Sequence, residues 1–66
     1  MTITVNGQTR EFDAPCRLGH VIDAEVSERR GVAVAVDGEM VPRADWDDTE
    51  LEDGARVEVV AAVQGG

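Results

Sequence analysis

This 66-residue chain reads as an α+β domain in which one α-helix covers one face of a mixed sheet of four to five strands. Three observations predict that class. Strand-like runs are punctuated by Asn6-Gly7, Asp37-Gly38 and Asp53-Gly54, only one stretch carries apolar residues at helical spacing, and Val32 to Val36 is apolar throughout and β-branched at alternate positions.

Thr2-Ile3-Thr4-Val5 alternates polar and apolar residues, as a half-buried strand does. Asn6-Gly7 then supplies a hairpin turn, because both residues tolerate φ > 0. A second strand, about Gln8 to Phe12, pairs antiparallel with the first, although only Thr9, Glu11 and Phe12 suggest its faces. Ala14-Pro15 ends the hairpin, since Pro cannot donate to a ladder. From Arg17 to about Arg29 the period changes, with Leu18, Val21, Ile22 and Val26 on one helical face and Asp23, Glu25 and Glu28 off it. The start is poorly marked: neither Cys16 nor Arg17 is a preferred N-cap, and Gly19 weakens the first turn by about 1 kcal/mol relative to Ala. Arg29-Arg30 and Gly31 suit the negative dipole end and a left-handed C-cap.

Val32 to Val36 reads as a central strand covered on both faces. Asp37-Gly38 turns it into a short strand, Glu39-Met40-Val41, that Pro42 stops. Arg43 to Thr49 has loop or single-turn character around Trp46, and Asp53-Gly54 introduces a final strand from Arg56 to about Val63. Placing that strand centrally, beside the first, gives the β-grasp or ubiquitin-like architecture, although the pattern alone admits other sheet orders. One domain over 1–63 and a flexible tail over 64–66 follow.

A domain of this size fills its interior with its own side chains and leaves function to its surface and ends, which argues against a self-contained enzyme. The net charge of −8, from 14 acidic residues against 6 arginines, repels phosphate backbones and speaks against nucleic-acid binding. Such acidity keeps a small protein soluble or steers it toward a basic docking surface. The chain has no Lys and so no ε-amine to accept an isopeptide linkage; a general preference for Arg over Lys produces the same composition. Cys16 is the only cysteine, which precludes an internal disulfide or a cysteine-rich metal site and suggests a reducing compartment. No apolar run approaches the ~20 residues that span a bilayer, and Met1 leads straight into a strand pattern, so a soluble cytoplasmic protein that contacts no membrane is expected.

The ending carries the chemistry. Gly65-Gly66 arises by chance in about one chain in 200 at average glycine usage, so it does not decide the matter alone. A terminal carboxyl has a pKa of about 3.3–3.7 and is ionised at neutral pH. It can attack the α-phosphate of ATP to give an acyl adenylate, a mixed anhydride that a sulfur nucleophile displaces. Glycine lacks Cβ, which lets the backbone enter a narrow channel of a partner enzyme. Val59 to Val63 ends a strand, and only Gln64 separates it from the glycines, so a rigid sheet holds the base of a mobile tip.

The other candidates are weaker. Cys16 is either a thiol activated near the helix start or a small buried hydrophobe, and the second is favoured. His20 is alone and off the apolar stripe, which suits a solvated helix residue. Asp45, Asp47, Asp48, Glu50, Glu52 and Asp53 are dense, but their spacing does not match a calcium loop, and a solvated loop facing a partner is expected. Arg43 pairs with that loop or with a partner, and Trp46 reads as a partly buried lid at the core edge.

Val36-Asp37-Gly38-Glu39, Val41-Pro42-Arg43, Trp46, Leu51, Asp53-Gly54, Arg56-Val57-Glu58 and Ala62 to Gly66 closely resemble the ThiS family, the sulfur carriers of thiamine thiazole synthesis. The resemblance covers essentially the whole chain, including the Ile3 to Gly7 opening; Val-Pro-Arg with Trp46 three residues on is its most specific piece. It implies a protein substrate, not an enzyme, that binds no cofactor of its own. A ThiF-type enzyme using ATP and Mg²⁺ adenylates the Gly66 carboxylate, sulfur from a cysteine desulfurase converts it to a thiocarboxylate, and thiazole synthase takes that sulfur. By the same resemblance Gly66 carries the sulfur, Gly65 and Gln64 form the approach, and Val60, Ala62, Val63 and Arg43 contribute to docking.

Family members commonly have Thr or Ser before the helix where this chain has Cys16-Arg17, and Gly19 is also unexpected; neither touches the tail. Within the same class stand carriers for molybdopterin, the MoaD type, usually longer and with an aromatic- and Pro-containing approach, and carriers for amino-acid biosynthesis. Outside it stand a ubiquitin-like modifier that forms amides on target lysines and a non-covalent binding module.

Overall fold

Alternating side chains in Thr2–Val5 (β1) send Ile3 and Val5 into the core while Thr2 and Thr4 stay partly accessible. The computed structural model describes residues 1–61 and places β1 beside Gln8–Glu11 (β2), antiparallel, through the Asn6-Gly7 turn with both residues at positive φ. Asp37-Gly38 has the same left-handed pair and joins Val32–Val36 (β4) to Glu39–Met40 (β5). Cys16–Arg17 (β3) leads into the helix Leu18–Glu25 (α1); Arg43–Asp48 is a 3-10 helix, followed by Glu50–Leu51 (β6) and Arg56–Ala61 (β7).

The main sheet has the order β2-β1-β7-β4-β5. Strand β7 lies at its centre, parallel to β1 and antiparallel to β4, so the β-grasp arrangement expected from the element order is the one observed. Helix α1 covers one face through Leu18, Val21 and Ile22, which pack with Ile3, Val5, Val34, Val57 and Trp46. Burying each aliphatic side chain of this kind contributes about 1.5–3 kcal/mol.

Four expectations are corrected. The helix ends at Glu25, with Val26 already extended, and not near Arg29. Arg29 instead folds back to pair with Asp23, six residues earlier, a separation that helical geometry would put on different faces. Second, β4 is not covered on both faces: Val34 is buried, but Ala33 is exposed and Ala35 only partly covered. Third, Trp46 is 1% exposed, not partly buried, and its Nε1–H donates to the Val41 carbonyl at 2.9 Å. Lastly, Cys16–Arg17 and Glu50–Leu51 form a separate antiparallel pair that local sequence did not signal.

That small pair explains the helix start. Arg17 stands at the N-cap without a side-chain cap, while the Leu18 N–H donates to the Thr49 carbonyl at 2.8 Å. A tertiary bond thus satisfies the first orphan donor of the helix, while the later donors that a Ser or Thr cap would serve receive no bond from the Arg17 side chain. The expected extension of the last strand to Val63 and the tail over 64–66 lie outside the described residues.

Candidate functional site

The strand that leads toward the diglycine alternates cleanly: Val57 and Val59 are buried, and Arg56, Glu58 and Val60 are exposed on the face away from α1. Register places Ala33 opposite Val60, and Ala35 opposite both Glu58 and Met40. Val60, Ala33, Ala35 and Met40 therefore share one face as a contiguous apolar strip. Met40 is 64% exposed and Val60 62%, the two exposed large hydrophobic side chains among the described residues. Glu58, opposite Ala35 on the same face, places a negative charge beside this strip.

Of the residues expected to dock a partner, Val60 lies on this surface. Arg43 is exposed at the first position of the 3-10 helix and forms no ion pair among the described residues. Ala62, Val63, Gln64, Gly65 and Gly66 lie outside the described residues. Sequence reading missed Ala33, Ala35 and Met40. The signal was present in the strict Val-Ala alternation of β4, in which the larger residue faces the core and the smaller one faces out.

Two turn residues clamp β7. Asp37 donates its backbone N–H to the Arg56 carbonyl at 2.7 Å and accepts the Arg56 N–H on Oδ1 at 2.9 Å. Nearer the other end, the Asn6 N–H donates to the Val57 carbonyl at 2.9 Å. The Asn6 side chain then donates from Nδ2 to the Val59 carbonyl at 3.0 Å and accepts the Val59 N–H on Oδ1 at 2.8 Å.

Two members of the acidic segment work within the fold, while Asp45, Asp48, Glu50 and Glu52 are exposed. Asp53 Oδ1 accepts the Thr2 N–H, and Asp47 forms a bidentate pair with Arg29, at 3.0 and 2.9 Å. Arg29 also grips Asp23 and lies 5.8 Å from the centroid of the Trp46 ring. Hydrogen bonds from Arg29 hold both Asp23 and Asp47 below the usual carboxylate range, and the two carboxylates push the Arg29 guanidinium up. Gly19 belongs here: a Cβ at that position would collide with the Asp47 carboxylate, which accounts for the unexpected glycine in the first helical turn. A surface groove of about 410 Å³ is lined by Asp37, Glu50, Glu52 and Asp53, but no group of three or more potential metal ligands occurs among the described residues.

Cys16 is buried, and desolvation pushes its thiol pKa up, which fits the small-hydrophobe reading and not an activated thiol. His20 is exposed on α1. No helix of the described residues is long and apolar enough to cross a membrane.

Comparison with known proteins places this geometry among relatives. A model of the ThiS family matches residues 3–66. Over all 66 residues the chain is 30% identical to a thiazole synthase of Paramagnetospirillum magneticum, but it spans only 20% of that protein's length. The crystal structure of a thiamine biosynthesis protein (ThiS) from Geobacter metallireducens superposes with a TM-score of 0.82 at 30% identity, covering 100% of both chains. A solution structure of a thiamine biosynthesis protein from the same organism gives 0.77 at 30% identity, covering 100% of this chain and 88% of that one.

Proposed function

The chain belongs to the ThiS family, and from that membership we propose that it is a sulfur carrier of thiamine biosynthesis whose Gly66 carboxylate is the loading point. The observation that carries this reading is the reach of the family match, which runs through Gly65-Gly66. The carrier is a protein substrate: it supplies a carboxylate and a docking surface, and its partner supplies ATP and Mg²⁺. Attack of the Gly66 carboxylate on the α-phosphate of ATP releases pyrophosphate and leaves an acyl adenylate. The terminal sulfur of a persulfide displaces AMP to give an acyl disulfide. A thiol then cleaves that disulfide, becoming oxidised to a disulfide itself and leaving the thiocarboxylate.

The exposed strip of Val60, Ala33, Ala35 and Met40 is the docking face for the ThiF-type adenylating enzyme, and the acidic surroundings favour a partner with a basic rim. Thiazole synthase is the proposed acceptor of the sulfur, and a cysteine desulfurase its proposed source. The match to a protein named thiazole synthase supports the first of these assignments.

The test is an intact-mass measurement after incubation with the adenylating enzyme, ATP, Mg²⁺ and the sulfur donor. Replacement of one oxygen by sulfur, absent when Gly66 is deleted, supports the carrier. Attachment to target lysines would instead make it a modifier, and an unaltered mass alongside partner binding would make it a non-covalent module. Transfer of the sulfur to thiazole synthase separates a thiamine carrier from those serving molybdopterin or amino-acid synthesis.

A further inference from the structure

Strand β7 is paired along β4 as far as Ala61, opposite Val32, but its partner on the other side stops at Val5. Backbone polar groups alternate in direction along a strand. Val57 turns its carbonyl toward β1, where the Asn6 N–H meets it, and Val59 turns both its N–H and its carbonyl the same way. The chain of β1 has by then entered the Asn6-Gly7 turn, so no backbone remains opposite Val59. The Asn6 carboxamide fills that position with one donor and one acceptor, groups that two residues of a continued parallel β1 would otherwise supply.

The residue type fits this task and not merely the turn. The first turn position tolerates Asn, Asp or Gly, since it needs only a positive φ, here 50°. Of these only Asn can both donate to and accept from Val59. Position 37 makes the contrast: it has the same φ of 50°, but its own backbone N–H serves the Arg56 carbonyl, so its side chain needs only an acceptor, and Asp stands there.

We propose that Asn6 is a positioning residue for the carrier tail, setting the direction in which the chain leaves the sheet toward partner active sites. This rests on the carrier reading above. From Ala61 to Gly66 is five residues, a contour of at most about 18 Å, so the point and direction in which β7 ends bound the region that the carboxylate can reach. Loss of the Asn6 side-chain bonds leaves β7 beyond Val57 held on its β4 side alone. The docking strip keeps its place, because Val60 and Ala33 face each other across β4 and β7.

The experiment compares wild type, Asn6→Asp and Asn6→Gly in the full chain. Both substitutions suit the positive φ, and Asp retains the acceptor for the Val59 N–H. Three quantities are read: amide exchange at Val59 against Ile22, ATP–pyrophosphate exchange by the adenylating enzyme, and the dissociation constant for that enzyme. In Asn6→Gly, Val59 exchange rises at least tenfold with Ile22 unchanged. The kcat falls at least fivefold while the dissociation constant stays within twofold, and Asn6→Asp falls between. A weakened dissociation constant with unchanged kcat shows a purely structural role and overturns the proposal, as does a Gly variant equal to wild type. Should wild type itself fail to be adenylated while Val59 exchange still responds, the carrier reading falls and takes the positioning role with it.

Discussion

The 3-10 helix and the end of β7 are both places where the chain leaves regular structure, yet they are held in different ways. Trp46 is buried, bonded to Val41 and capped by Arg29, which is itself gripped by Asp23 and Asp47; Arg17 and Thr49 add bonds to the carbonyls of Asp47 and Asp45. The end of β7 has β4 on one flank and a single carboxamide on the other. Redundant contacts make the first region a determinant of stability. The second has little to lose in stability and much in how the strand ends, which is what the proposed carrier role requires.

The largest way to break this contrast is Trp46→Ala. Removing a large buried aromatic costs about 3–5 kcal/mol and orphans the Val41 carbonyl, most of the stability of a domain this small. Urea unfolding is expected to show a midpoint collapse; a small shift would mean that the 3-10 region does not anchor the core.

Next in size is Val60→Asp, on the exposed docking strip. Affinity for the adenylating enzyme is expected to fall at least tenfold, about 1.4 kcal/mol, while the fold changes by less than about 0.5 kcal/mol. Titration calorimetry beside a thermal melt checks both halves, and unchanged affinity would move the docking face elsewhere.

A smaller effect comes from pH. The folded-state pKa values of Asp23 and Asp47 lie below their unfolded values, so their contribution is present above about pH 3.9 and is lost as pH falls through the depressed folded values. Both side chains are largely exposed, which keeps the contribution modest. Arg29→Gln is expected to return both carboxylates toward the ordinary range and flatten the acid limb of stability, readable by NMR titration.

The smallest is Gly19→Ala. The added methyl displaces the Asp47 carboxylate, yet Ala in a helix gains about 1 kcal/mol over Gly, so the two largely offset. Near-neutral stability with an Asp47 pKa restored upward is the expected pair of results. A gain of the full helix-propensity term with Asp47 still depressed would show that the collision is relieved some other way.

Much of the fold was legible because its signals are local. Asn6-Gly7 and Asp37-Gly38 announce their turns through residues that accept positive φ, and Leu18, Val21 and Ile22 announce a buried stripe by spacing alone. The diglycine was equally plain, being a matter of composition and position. The exposed apolar strip was half legible: Val60 was singled out, but Ala33, Ala35 and Met40 become its neighbours only through pairing across strands distant in sequence.

What remained hidden depends on partners that no local window contains. The early end of the helix goes with Arg29 meeting Asp23 and Asp47, the start at Leu18 with the Thr49 carbonyl, and the burial of Trp46 with its packing among core residues of α1 and the sheet. Asn6 joins the two kinds of information. Along the chain it is a turn former, determined by backbone sterics; in three dimensions it completes a strand 53 residues away. Backbone torsional preference belongs to a residue and its neighbours, whereas a hydrogen-bonding group is spoken for only when the folded sheet brings its partner within reach.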